Sequence, residues 1–154
     1  MDTIALSPDG EWLFYGPLAG SSLWRVPTVA LRDPGLDEDA VAARVERWSD
    51  KPTTDGAVMG PDGTLYLTAP ELDGIALVRP GRSLALRAQD RELLAWPDGL
   101  ALSPDGQWLY VTASAPPMPV DPRPNRGRSG PPTAPQALVR TCVAASGARV
   151  WAAP

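Results

Sequence analysis

The sequence predicts an all-β chain, a partial β-propeller of about three four-stranded blades with a short helical insertion near residues 28–47. Three observations predict it. A segment occurs three times in near-copy: DTIALSPDGEWLFYG (2–16), DGAVMGPDGTLYLTA (55–69) and DGLALSPDGQWLYVT (98–112). Each copy is followed by candidates for two further short strands, and four short strands at a period of about 40–45 residues is the signature of a propeller blade. The chain also carries 19 prolines and 14 glycines among 154 residues, which favours many turns over a helical bundle.

Within each copy an aspartate opens a mostly apolar strand, Pro-Asp-Gly follows, and a Leu-aromatic strand returns. The proline lies at the same offset from the opening aspartate each time: 2 to 8, 55 to 61, 98 to 104. Proline suits the first turn position and glycine supplies a positive φ, so Asp9, Asp62 and Asp105 are turn residues of tight hairpins. In the first blade, 2–50, further strands are expected at 22–26 and roughly 45–49. In the second, 55–90, they are expected at 73–79 and 83–88. The third, 98–152, is degenerate, with strand candidates at 136–142 and 148–152 behind a Pro-rich loop, 115–135, that composition marks as a linker.

The first two copies are spaced more widely than the last two, so blade 1 carries an insertion. In DPGLDEDAVAARVERW (33–48), Asp37, Glu38 and Asp39 suit the first turn of a helix. Val41, Val45 and Trp48 then form one apolar stripe to pack on the blade. Tyr15, Tyr66 and Tyr110 sit at matching hairpin positions and are read as packing residues, and Trp96 as an anchor between blades.

Composition removes several chemistries. With no histidine there is no Ser-His-Asp triad, no Cys-His pair and no imidazole ligand, and the single cysteine, Cys142, excludes an internal disulfide. A net charge of -4 with no basic stripe argues against a nucleic-acid partner. No apolar run reaches the roughly 18 residues of a membrane span, and no signal peptide is visible.

What remains is carboxylate chemistry. First strands line a propeller's channel, so Asp2, Asp55 and Asp98 would face a common axis near one mouth. Three carboxylates there would repel one another, a strain relieved by protonation or by a cation, and oxygen ligands suit Ca²⁺ or another divalent cation such as Mg²⁺. The competing reading is structural: each carboxylate accepts backbone N–H bonds where its strand begins. Glu71 and Asp73, after the second hairpin, are further candidates for the channel mouth, with solvated loop acids as the alternative.

Several unlike motifs then agree in order with one family. FYGPLAGSSLWRVPTVALRD (14–33), DKPTTDG (50–56), GTLYLTAPELDGI (63–75) and AQDRELLAWPDGL (88–100) resemble the major royal jelly protein/Yellow family, in a bacterial-type version, over about residues 2–112. The resemblance implies a six-bladed propeller of which this chain holds about the last three blades. It also implies a small-molecule ligand at one channel mouth, biogenic amines in some members, and a secreted or periplasmic location. The family's Asn-x-Leu-x-Arg-like segment after the final hairpin has no counterpart here: TASAPPMP (112–119) puts Ser114 at that place. The fold is also similar to gluconolactonase-type enzymes, in which Glu, Asn and Asp hold a divalent cation on the channel axis.

Three readings follow. The leading one is a fragment of a royal jelly/Yellow-like propeller that binds a small organic ligand at the channel mouth. The second is a gluconolactonase-like lactone hydrolase, with an axial Ca²⁺-like ion polarising the carbonyl and activating water. The third is a non-catalytic scaffold module. Catalysis by the intact ring is left open, and the fragment itself is read as non-catalytic. Three blades do not close a ring, so the expectation is a larger protein or self-association through open blade edges.

Overall fold

The computed structural model describes residues 3–114, 137–143 and 150–152. They form three four-stranded antiparallel sheets, each in simple sequential order. Blade 1 is β1 (Thr3–Leu6), β2 (Trp12–Gly16), β3 (Ser22–Pro27) and β4 (Glu46–Asp50); blade 2 is β5 (Ala57–Met59), β6 (Leu65–Ala69), β7 (Gly74–Val78) and β8 (Leu84–Gln89). Blade 3 is β9 (Pro97–Leu102), β10 (Trp108–Ala113), β11 (Ala137–Cys142) and β12 (Val150–Ala152). The expected Pro-rich loop, 115–135, and Asp2 lie outside the described residues.

The hairpins form for the reason the motif suggests. Gly10, Gly63 and Gly106 close the three turns with φ of 72°, 78° and 69°, a left-handed conformation that glycine adopts without a Cβ penalty. In blade 1 the Asp9 carboxylate accepts from the Glu11 N–H and the Ser7 hydroxyl, and Trp12 N–H donates to that hydroxyl. Ser103, Asp105, Gln107 and Trp108 repeat the arrangement in blade 3. Blade 2 has Gly60 in place of the serine, and there Thr64 donates to Asp62 from both its N–H and its hydroxyl.

Pairing in the hairpins corrects one alignment. Phe14 lies opposite Ala5, Tyr66 opposite Val58 and Tyr110 opposite Ala101. Tyr15 lies opposite Ile4, the place that Leu67 takes in blade 2 and Val111 in blade 3. Phe14, not Tyr15, is therefore the equivalent of Tyr66 and Tyr110. A one-residue step moves a strand side chain to the other face.

The insertion is also shorter than its periodicity predicts. It holds two five-residue helices, α1 (Thr28–Arg32) and α2 (Glu38–Ala42), the second capped by Asp37, whose carboxylate accepts from Ala40 N–H at 2.8 Å. Trp48 belongs to β4, where its ring meets Phe14 edge-on at 4.7 Å. Burying Trp48 against a neighbouring strand, together with the β3–β4 ladder and an Arg25–Glu46 ion pair along it, outweighs one more helical turn.

Blade 2 is the centre of the molecule, and β6 and β7 are buried along their whole length. Leu65, Leu67, Ala76 and Val78 pack toward Phe14, Leu23 and Trp48 of blade 1. Tyr66, Ile75 and Leu77 pack toward Leu109, Val111 and Val139 of blade 3. The alternation of a strand thus feeds two seams at once, which is why these strands read as continuous apolar runs. Strand β5 contacts both β1 and β9, so the first strands of the three blades stand side by side, as channel-lining strands do.

Candidate functional site at the channel mouth

Antiparallel pairing puts the start of each first strand beside the end of the second, so one end of the sheets collects the opening aspartates and the other the Pro-Asp-Gly turns. At the turn end, Leu6, Met59 and Leu102 and the turns behind them line an open groove of about 360 Å³. Its polar lining is limited: the Ser103 hydroxyl and Asp105 carboxylate are bonded to each other. The candidate carboxylates Asp55 and Asp98 lie at the other end.

There, blades 2 and 3 approach closely. A Cβ on Gly56 would lie 2.0 Å from the carbonyl oxygen of Asp98, so only glycine permits the contact. Asp55 is held from blade 3: the Trp96 indole N–H donates to its Oδ2 at 3.1 Å. Trp96 is therefore an anchor between blades, as expected, and it also orients a candidate carboxylate. Asp98 is exposed and receives no hydrogen bond on its carboxylate among the described residues. Its pKa is raised above the ordinary value by partial loss of solvent and by the charge of Asp55 beside it.

The backbone-capping role that sequence offered to these aspartates is filled by threonines. The N–H groups of Asp55 and Gly56 both donate to the Thr68 hydroxyl at 2.9 Å, and Gly99 N–H donates to the Thr112 hydroxyl at 2.9 Å. Neither carboxylate makes these backbone bonds. Thr68 and Thr112 close the equivalent second strands of the repeat, a signal that alignment of the copies contains. In blade 1, Gly16 stands at that position, and the Lys51 chain runs over it, its Cε 2.8 Å from where a Gly16 Cβ would be. Lys51 is buried and donates to the carbonyls of Leu18 and Pro52 at 3.3 and 3.0 Å.

Glu71 and Asp73 do lie at the mouth end, on a 3-10 turn (Pro70–Leu72) and at its left-handed exit, φ 48°. Among the described residues no three acids gather in a group able to hold a metal ion, so neither of these joins Asp55 and Asp98 in one. Asp2, the third member of the expected set, lies outside the described residues.

Neither a protein-family model nor a curated protein sequence matches the chain. Solved structures do. A calcium-binding regucalcin from Agrobacterium tumefaciens is similar over 79% of this chain and 39% of its own, at 20% identity and a TM-score of 0.59. A gluconolactonase from Xanthomonas campestris is similar over 73% of this chain and 34% of its own, at 15% identity and a TM-score of 0.54. A virginiamycin B lyase from Staphylococcus aureus is similar over 99% of this chain and 41% of its own, at 11% identity and a TM-score of 0.60. These neighbours are β-propellers. The chain has a β-propeller fold. It spans less than half the length of each of these three neighbours, and the likeness at these identities is one of fold. The expected royal jelly/Yellow membership, carried by residues 2–112, is not supported by these comparisons, whose neighbours are of the gluconolactonase, regucalcin and lyase kind.

Proposed function

We propose that this chain is half of a gluconolactonase- and regucalcin-like propeller whose channel mouth binds a small cationic ligand through Asp55 and Asp98. The observation that carries this is the juxtaposition of the two carboxylates across the blade 2–3 seam. One is oriented by Trp96; the other accepts no hydrogen bond on its carboxylate among the described residues, and partial loss of solvent, with the charge of Asp55 added, disfavours it as an anion. A bound positive charge removes that penalty.

Two sources supply such a charge. A divalent cation agrees with the calcium-binding and gluconolactonase neighbours. The two carboxylates are hard oxygen donors that fit part of a Ca²⁺ shell, which takes six to eight oxygens, so the rest would come from outside the described residues. Such an ion would supply Lewis-acid chemistry to a lactone carbonyl, and here Asp55 and Asp98 would hold it while Trp96 fixes Asp55. An organic amine agrees instead with the royal jelly/Yellow resemblance, and Trp96 gives an aromatic surface beside the acids.

The test is a titration of the chain with Ca²⁺ and, separately, with a biogenic amine such as serotonin. The Asp98 side-chain pKa is followed by NMR, and tryptophan fluorescence is followed where the ligand itself does not absorb. Binding of either lowers the Asp98 pKa, and Asp98→Asn weakens the binding at least tenfold. Saturation by Ca²⁺ alone selects the metal reading, and saturation by the amine alone selects the organic one. An Asp98 pKa indifferent to both, up to millimolar ligand, overturns the proposal.

A further inference from the structure

The outermost strand of a blade remains a sheet edge however many blades stand beside it, and blades 1 and 2 present two such edges, β4 and β8. Strand β4 is guarded. It carries Glu46, Arg47 and Asp50, tied into the Arg25–Glu46 and Arg47–Asp50 ion pairs, and its one large apolar side chain, Trp48, is buried. Charge along an edge discourages pairing with another chain. Strand β8, Leu-Ala-Leu-Arg-Ala-Gln, lacks that protection. It has neither proline nor acid, and Leu84 and Leu86 are 43% and 48% exposed.

The backbone of β8 is open at the same two residues. Arg79 N–H donates to the Ser83 carbonyl at 3.1 Å, which sets the phase of the β7–β8 ladder. Bonded pairs alternate with unbonded ones in an antiparallel ladder. Ser83 and Ala85 therefore turn their polar groups to β7, while Leu84 and Leu86 turn theirs outward. Neither leucine makes a backbone hydrogen bond outside its own sheet among the described residues. The regular run ends at Arg87, the extra residue of a bulge. Leu84 and Leu86 lie opposite Val78 and Ala76, so they stand on the face of blade 2 turned toward blade 1, at the exposed margin of that seam.

The charge of this edge defines its partner. Residues 74–89 hold Arg79, Arg82 and Arg87 and no acid, in a chain whose net charge is -4. Arg87 donates to the carbonyls of Cys142 and Val143, which are neutral acceptors, and Arg79 and Arg82 are in no ion pair among the described residues. A second copy of β8 would bring like charges together. An anionic lipid surface would meet the arginines and leucines but has no row of N–H donors for the two carbonyls. We propose that β8 is a docking edge for an extended acidic segment of another polypeptide, added to blade 2 as a further strand. Its apolar side chains lie at alternate positions over Leu84 and Leu86, and its carboxylates reach Arg79 and Arg82. The proposal stands apart from the ligand reading, because β8 lies on the outer rim and the aspartates at the channel.

The probe is a synthetic peptide in which valine alternates with aspartate and threonine, titrated into the isotope-labelled 154-residue chain. The amide resonances of Leu84 and Leu86 should move saturably, at micromolar to millimolar peptide, while those of β4 stay in place. A peptide with lysine for aspartate should bind about fivefold more weakly. One that is N-methylated at alternate residues, and so unable to donate to the Leu84 and Leu86 carbonyls, should leave those resonances unmoved. Leu86→Lys, at a position exposed in the free chain, should keep the β circular dichroism and abolish binding. Arg82→Asn, which suits the left-handed backbone at φ 65°, should weaken binding about threefold. Leu84 and Leu86 amides unmoved at millimolar peptide overturn the proposal. So does equal binding of the lysine or the N-methylated peptide, binding to phosphatidylserine vesicles in place of the peptide, or self-association of the chain that Leu86→Lys abolishes. Should Leu86→Lys misfold, the N-methylated peptide, which leaves the protein unaltered, still decides.

Discussion

Strand β9 carries an aspartate at its mouth end, Asp98, and another, Asp105, follows it in the turn at the opposite end. Asp105 accepts from the Ser103 hydroxyl and the Gln107 N–H, and these bonds hold its pKa below the usual value. Asp98 accepts from nothing among the described residues, loses some of its water and faces Asp55, and its pKa is raised. At the turn end, local hydrogen bonds favour the charged form, as they do for Asp9 in blade 1. At the mouth the corresponding local work is given to Thr68 and Thr112. The turn end is locally satisfied, whereas at the other end Asp55 is held from the next blade and the Asp98 carboxylate accepts no hydrogen bond among the described residues.

The glycines at the two ends test this contrast most strongly. Gly56→Ala at the mouth forces a methyl into the Asp98 carbonyl and should cost about 3 kcal/mol, the upper part of the range for overpacking. Chemical denaturation measures it, and a cost below about 1 kcal/mol would show that the seam yields freely. Thr68→Val keeps the shape but removes the acceptor of two N–H groups, with an expected loss of about 2 kcal/mol. Gly106→Ala at the turn end meets no close neighbour and pays only for its positive φ, about 1 kcal/mol. If Gly106→Ala proved costlier than Gly56→Ala, the mouth would not be the tightly constrained end.

The smallest effects are the acid titrations, and they have opposite signs. Asp105, with a lowered folded pKa, contributes stability above its unfolded value near 3.8, and that contribution is lost as pH falls through the folded value. Asp98, with a raised folded pKa, carries a penalty when ionised; the penalty is full above the folded value and fades as pH falls toward 3.8. At neutral pH Asp105→Asn should therefore lower stability. Asp98→Asn should raise it, by less than about 0.5 kcal/mol at so exposed a site. Thermal melts at pH 7 and pH 3.5 check both, and the Asp98→Asn gain should vanish at the lower pH.

The hairpins and most strand limits were legible because Pro-Asp-Gly and two-residue alternation are local properties. The four strands of blade 2 lie within two residues of their expected positions. Helical periodicity at 41–48 misled for a related reason: Val41 and Val45 follow a helical stripe, but Trp48 is claimed by β3 and Phe14, which local spacing cannot register. Phe14 and Tyr110 both lie four residues after their turn glycines and Tyr15 five, so the sequence itself sets Phe14 against Tyr110; the ladder adds that Tyr66, only three residues after its glycine, takes the same place.

For the site, the three aspartates were visible as equivalent positions, whereas their surroundings were not. The sequence by itself determined the repeat, the turns, the absence of histidine chemistry and the presence of an acid at the head of each first strand, since each is a matter of residue type and near spacing. Tertiary structure alone decided that Trp96 reaches back 41 positions to orient Asp55, that Gly56 lets the blades touch, and that Thr68 frees the carboxylate from capping. These are contacts between strands brought together by the burial of both faces of blade 2, and burial across seams depends on which blade stands next to which.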